Sequence, residues 1–510
     1  MRILTAERLA AIGAALGGPA YERELETGWK NLLVAQHHDI QICGLEDDAR
    51  RFLGRSLETA DGVIHRVMSE VGVRIGSPAA RQVVFNPLPW RRSVWVPAGA
   101  GEEGGSVVEL PGLGFTTITV GQSRSGEGRA AFEWQPEARS DDLRVRTRQK
   151  TVSGDREVWA YERVGSLQTP FYEVCTAPGG GFRLLRDRRT GQHLMAPPRN
   201  SGTLAGIING KDCISVGSIT QVKTDSARAV MTEEGHVADI PYRFEWTFYR
   251  HTPRIDWHAE LEFQGQMIGR PKVPISGENS TGSPFGDPAT VTAFDDHEYK
   301  LRLRFYPFQG PRVTGVRDLP FHVSETAEPY VQGIYWTAVS DGQVGLALLN
   351  RGQMGSVREQ DGAFSSILAF SLPYVWNTRI LKGKYTYDLG ILPFQGKWQA
   401  ADLHRQALDY NFPCLTQRVT GQKESLGESW TPFQQLAPAD PILSALYSRN
   451  GRVYARFYES RGEEAEVGFR WLGRPIELTA VDLRERGEAR LGHRARLGPW
   501  QVQTYAINKA

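Results

Sequence analysis

Cysteine is scarce in this chain. There are four in 510 residues (Cys43, Cys175, Cys213, Cys414), with no C-x-x-C spacing that would put two thiolates on one tetrahedral ion. That pattern disfavours a disulfide-built secreted scaffold and points to a reducing, cytoplasmic compartment. No apolar run approaches the ~20 residues that a membrane-spanning helix needs, so no membrane partner is expected. Charge of one sign is also lacking: 60 Lys plus Arg stand against 58 Asp plus Glu. Nothing in the long-range field draws a polyanion, and nucleic acid is not expected as a partner. A nucleophile elbow and a P-loop are missing, and no glycine-rich turn opens a helix as a dinucleotide fingerprint would. So is a tandem repeat of fixed period, which removes propellers and solenoids.

What is present divides in two. Up to about residue 80, apolar residues recur at helical spacing: Leu25, Trp29, Leu32, Leu33 and Gln36, then Ala49, Phe52, Leu53, Leu57, Ala60, Ile64, Val67 and Val71. The spacing predicts two amphipathic helices joined by a loop of about nine residues, 37–45, within the usual range for connections. Glu46, Asp47 and Asp48 stand where the second helix should begin, and acidic side chains there complement its unpaired backbone N–H groups. The start, MRILTAERLAAIGAALGGPA, has an early Arg and a short apolar stretch ending in small residues, as a secretory leader would, but Glu7 and Arg8 interrupt it.

Beyond Arg81 the texture is short alternating segments between Gly, Pro, Asn and Asp. In RIDWHAELEF, Ile255, Trp257, Ala259, Leu261 and Phe263 take one face and Asp256, His258, Glu260 and Glu262 the other, the pattern of a half-buried strand. YKLRLRFYPF sets Leu301, Leu303 and Phe305 inward and Arg302 and Arg304 outward, and GRVYARFYE and WQVQTYAIN repeat the device. GAGEEGG and GQSRSGEGRA read as exposed loops or linkers. WQAADLHRQALDY reads as one more amphipathic helix before Pro413. The expected fold class is mainly β with an N-terminal helical segment, sheets packing on sheets. The chain divides into 1–78 (helical), 79–415 (a small leading β unit, then a large sandwich) and 416–510 (a smaller C-terminal β domain).

Three polar groupings could carry chemistry. His37, His38 and Asp39 end the first helix, yet neighbouring residues there cannot all aim at one point, so at most one or two would ligate a single ion, and zinc takes about four ligands. The plain alternative is a helix-end histidine bonding terminal carbonyls, with Asp39 starting the loop. Asp256, His258 and Glu260 line one strand face, where polar residues need no further cause. Asp295, Asp296, His297 and Glu298 form a charge cluster that reads as a solvated turn.

The wording WKNLLVAQHHDIQICG (Trp29 to Gly44), followed by an acidic helix start, resembles the glycoside hydrolase family 38 α-mannosidases, with their Gln-His-His-Asp segment and a Gly a few residues on. The likeness continues in VVFNPLPWRRSVWVP (Val83 to Pro97) and FYEVCTAPGGGFRLLRDRRTGQHLM (Phe171 to Met195) and in later strands, running from about Ala6 to the end. The resemblance implies a helix-bundle remnant followed by a large galactose-mutarotase-like β-sandwich. It implies zinc as cofactor, with His38 as a ligand, Asp39 binding substrate hydroxyls, and Gln36 and His37 as supporting residues. Cys43 departs from the wording of many members.

It also implies an N-terminal β/α barrel carrying the nucleophile, the acid/base and the remaining zinc ligands, and no such domain precedes Trp29. No catalytic residue is therefore assigned in this chain. The expected function is α-mannosidase, hydrolysing terminal α-mannosyl residues of a glycan by a zinc-assisted retaining mechanism, from a truncated or split chain that needs a barrel-bearing partner. Alone it should be inactive. The alternative is a non-catalytic carbohydrate-binding or scaffolding β protein, and homo-oligomerisation stays open.

Overall fold

The computed structural model describes residues 1–38, 40, 45–75, 77–97, 104–119, 132–151, 154–269, 297–307, 313–371, 380–421, 426–436, 441–487 and 489–507. Its contacts group the chain by packing and not by order along the sequence. One unit takes Met1–Arg124, Asp318–Ser324 and His404–Ala510, the other Ser125–Arg317 and Glu325–Leu403. The helical start and the C-terminal strands thus share one body, which a division at 78/79 and 415/416 separates. No described helix is long and apolar enough to cross a membrane.

In the first unit, three helices lead: α1 (Arg2–Ala15), α2 (Glu22–Ala35) and α3 (Glu46–Val73). The last two follow the predicted periodicity, and Glu46, Asp47 and Asp48 occupy the first turn of α3. Helix α1 goes beyond it, since its sequence reads as a broken leader. The interrupting Arg8 is instead buried, donating to Pro87 O at 2.8 Å, Leu443 O at 3.2 Å and Ser444 O at 3.1 Å. Its guanidinium also sits 4.7 Å from the Phe412 ring centroid. Spacing alone could not foresee a charge satisfied by carbonyls so distant along the chain.

Helices α2 and α3 run antiparallel. Tyr21 donates to Glu70 at 3.0 Å, Arg66 pairs with Glu24, and Gly28 lies against Thr59. Gly28 marks a close approach: a Cβ there would stand 2.8 Å from Ile3 Cδ1 and 3.2 Å from Thr59 Cγ2, so a side chain would require the end of Ile3 to move. Ala60, Ile64, Val67 and Val71 are buried as the pattern predicts. Leu53 and Leu57, on the same predicted face, are 42% and 43% exposed, and Leu33 is 64% exposed.

The helices share one core with two antiparallel sheets. The first has four strands, in the order Leu415–Gly421, Ser77–Phe85, Phe115–Thr119, Ser429–Trp430. The second has five, in the order Pro441–Arg449, Arg452–Glu459, Val502–Ile507, Leu478–Val481, Ala489–Arg490. The turn in FNPLPW is held by Asn86, which is fully buried. Its amide donates to Trp90 O at 2.7 Å and Pro111 O at 2.9 Å, and its Oδ1 accepts the Leu88 N–H at 3.0 Å. The expected helix before Pro413 is α4 (Leu403–Asn411).

The second unit is a sandwich. A nine-stranded sheet includes, as consecutive neighbours, Val216–Thr224, Arg228–Val237, Ile240–Tyr249, Ile255–Gln264, Lys382–Gln395 and Val344–Asn350. A six-stranded sheet runs Lys211–Ile214, Thr203–Ile208, Leu301–Phe305, Phe364–Ala369, Gly355–Arg358, Tyr330–Gln332. Trp246 and Trp257 from the first and Leu301, Leu303 and Phe305 from the second belong to one buried cluster. The alternation read in RIDWHAELEF is the observed one. Arg302 departs from expectation: it is on the opposite face from Leu303, as read, but is only 4% exposed, held by Glu359 at 3.0 and 3.2 Å.

Candidate functional site

Helix α2 closes with the Gln36 N–H donating to Leu32 O at 3.0 Å and the His37 N–H to Val34 O at 3.1 Å. The chain leaves the helix there, with Gln36, His37 and His38 all exposed. The two imidazole rings lie nearly parallel, centroids 4.6 Å apart and planes inclined by 22°. Asp39, the expected sugar ligand, lies outside the described residues, as do Cys43, Asp295 and Asp296.

A hydrogen bond ties α2 to α1. Trp29, two turns before His37, donates its indole N–H to Glu7 at 2.7 Å. Burial raises the Glu7 carboxyl to about 7, against the lowering effects of the Trp29 bond and of Arg8 and Arg456. The antiparallel pairing of α2 with α3 brings Leu33 to the end of the hairpin where Leu53 and Leu57 lie, so exposed leucines accompany the exposed histidines.

Among the described residues, no group of three or more His, Cys, Asp and Glu side chains is placed to hold a metal ion. Against zinc's requirement of about four ligands, the imidazoles here are a fragment of a donor set. The described residues by themselves do not fit the ion, and no chemical step is derived through it.

The strand-face grouping is divided among its partners, and of the cluster at 295–298 only His297 and Glu298 are among the described residues. Asp256 accepts from Arg254 at 2.5 and 3.0 Å and from Tyr249 at 2.9 Å, His258 bonds Asp388 at 2.9 Å, and Glu260 pairs with Lys384 at 2.8 Å. Three neighbours on one strand thus each look to different partners. His297 stacks on Tyr330, centroids 3.9 Å apart, and bonds Lys300 at 3.1 Å.

Sequence reading passed over Glu233. It is 1% exposed and accepts from the Tyr242 hydroxyl at 2.9 Å, the Gly181 N–H at 3.1 Å and the Trp246 indole at 3.3 Å. Burial raises its carboxyl above the usual range, the three donors offsetting part of that. Alternation held the signal: in RAVMTEEGHV, residues 229, 231, 233 and 237 share one face, and three of them are apolar and buried. On the opposite face of this sheet an open cleft of about 380 Å³ is lined by charged residues, among them Glu234, Arg243, Glu260 and Lys384, and by the apolar Pro241 and Leu261.

No protein-family profile matches the sequence, and no curated protein matches it. Two solved structures match almost its whole length. One, a protein in glycosyl hydrolase family 38 from Enterococcus faecalis, has a TM-score of 0.69 at 11% identity, over 99% of this chain and 68% of its own. The other, an alpha-mannosidase from Enterococcus faecalis V583, has a TM-score of 0.66 at 12% identity, over 99% of this chain and 66% of its own. At such identities the likeness is one of fold. This chain has the fold of about two thirds of these glycosyl hydrolase family 38 structures.

Proposed function

We propose that this chain is the helical and β portion of an α-mannosidase of the glycoside hydrolase family 38 type, hydrolysing terminal α-mannosyl residues of glycans with retention. The observation that supports this most is a conjunction. A fold likeness to two such structures spans 99% of the chain, and the Gln36-His37-His38 segment stands exposed at the end of a helical hairpin within it.

In this reading the hairpin end is one wall of a shared pocket. His38 supplies one zinc ligand and Asp39 accepts a hydrogen bond from a mannose hydroxyl, acceptor-only as an ionised carboxylate is. Gln36 and His37 support them. Bound zinc would hold and orient vicinal hydroxyls of the sugar. The paired carboxylates that glycoside hydrolysis needs come from a barrel-bearing polypeptide outside this sequence. The test is co-expression with such a polypeptide. Zinc-dependent release of nitrophenol from 4-nitrophenyl α-mannoside should appear in the pair and be abolished by His38→Ala; turnover unchanged by that substitution removes the ligand role.

A second reading, a carbohydrate-binding protein without turnover, draws on the open cleft of the sandwich. It predicts no hydrolysis with any barrel partner.

A further inference from the structure

The cleft of about 380 Å³ falls within the size range of small-molecule sites. It is built by strand register. Glu234 stands opposite Arg243 on the next strand, Arg243 opposite Glu260 on the third, and Glu262 opposite Lys384 on the fourth. Alternation sends all of these side chains to the face away from the core, because Phe244, Ala259 and Leu261 beside them are buried in it.

The chemistry of this wall is specific. Arg243 lies 3.7 Å from Glu234 and 2.6 Å from Glu245, and Lys384 lies 2.8 Å from Glu260. These partly exposed ion pairs contribute little to stability. They nevertheless hold the side chains in place, and each carboxylate keeps acceptor sites that its cation does not fill. The lysine bond keeps the Glu260 carboxyl below its usual range, so it is an ionised acceptor at neutral pH.

The floor is rigid. Tyr242 turns its hydroxyl inward to the buried Glu233 at 2.9 Å, and its ring stacks on Phe244 with centroids 4.0 Å apart. Pro241, exposed at the wall, offers an apolar surface. Three carboxylates face two cations, which disfavours a phosphate or carboxylate ligand. Ionised acceptors interleaved with N–H donors suit a neutral molecule with adjacent hydroxyls.

We propose that this cleft is a carbohydrate-binding subsite that takes a neutral pyranoside through its vicinal hydroxyls, separate from the hairpin of α2 and α3. The choice of a mannoside as first probe rests on the function proposed above; the class of ligand does not. Saturation-transfer difference NMR on the full chain tests it, with methyl α-mannopyranoside, methyl β-glucopyranoside and mannose 6-phosphate as probes. At least one neutral glycoside should take up saturation, and mannose 6-phosphate should do so less.

The paired substitution Arg243→Ala and Glu260→Ala should reduce the affinity at least tenfold, and the isosteric Glu260→Gln should weaken it with the thermal midpoint unchanged. His38→Ala should leave binding intact, which separates this site from the mannosidase reading. No saturation of either neutral glycoside, equal binding by the paired variant, or loss of binding in His38→Ala alone would each overturn the proposal.

Discussion

Glu7 accepts the indole N–H of Trp29 at 2.7 Å, and this bond ties α1 to the helix that ends in the histidine pair. Burial outweighs the Trp29 bond and the more distant charges of Arg8 and Arg456, and the Glu7 carboxyl is raised to about 7. A carboxyl raised on folding gives stability that is fully present below its unfolded value, 4.5, and lost as pH rises through about 7. Glu7→Gln should therefore flatten the pH dependence of the thermal midpoint between pH 5 and 8. At pH 8 the variant should be the more stable protein, by at most about 3 kcal/mol. Parallel curves for the two proteins across that range contradict the assignment.

Two helix glycines should respond with opposite sign. Gly28→Ala drives a methyl to 2.8 Å from Ile3 Cδ1, and the displacement of Ile3 should offset the helix gain and leave a net cost of up to about 1 kcal/mol. Gly54→Ala, inside α3 with nothing within 4 Å of the added atom, should stabilise by about 0.5–1 kcal/mol. Urea denaturation of both variants decides the matter, and a Gly28→Ala as stabilising as Gly54→Ala contradicts the close three-helix approach.

Glu233→Ala strands the Tyr242 hydroxyl, the Trp246 indole and the Gly181 N–H in the core of the sandwich, and should cost roughly 2–4 kcal/mol. Glu233→Gln keeps one acceptor and should cost less. Thermal unfolding of the two variants at pH 7 gives the order, and equal losses would show that the acceptor is immaterial.

Much of this fold was legible from periodicity. Alternation in RIDWHAELEF identified the buried face, because a pleated strand offers only two sides, whereas in the strands Arg452–Glu459 and Val502–Ile507 the same reading failed because both faces are largely covered. The acidic start of α3 was equally legible, being a local matter of backbone charge. Arg8, Arg302 and Glu233 were not. Each is a charged residue satisfied by groups brought to it only by tertiary packing, such as carbonyls 79 and 435 positions away for Arg8. Leu53 and Leu57 fit the helical stripe but stay exposed, since a stripe shows which face is apolar and not what covers it. Of the candidate site, the sequence supplied the motif, and the structure adds the stacked, exposed imidazoles at the end of α2.

The most direct measurement is zinc-dependent hydrolysis of 4-nitrophenyl α-mannoside by three preparations: the chain alone, the chain with a barrel-bearing polypeptide, and that pair carrying His38→Ala. The account predicts no turnover for the first, turnover for the second, and its abolition in the third, because the substitution removes a direct ligand. Hydrolysis by the chain alone, or a His38→Ala pair as fast as the unaltered one, would contradict it.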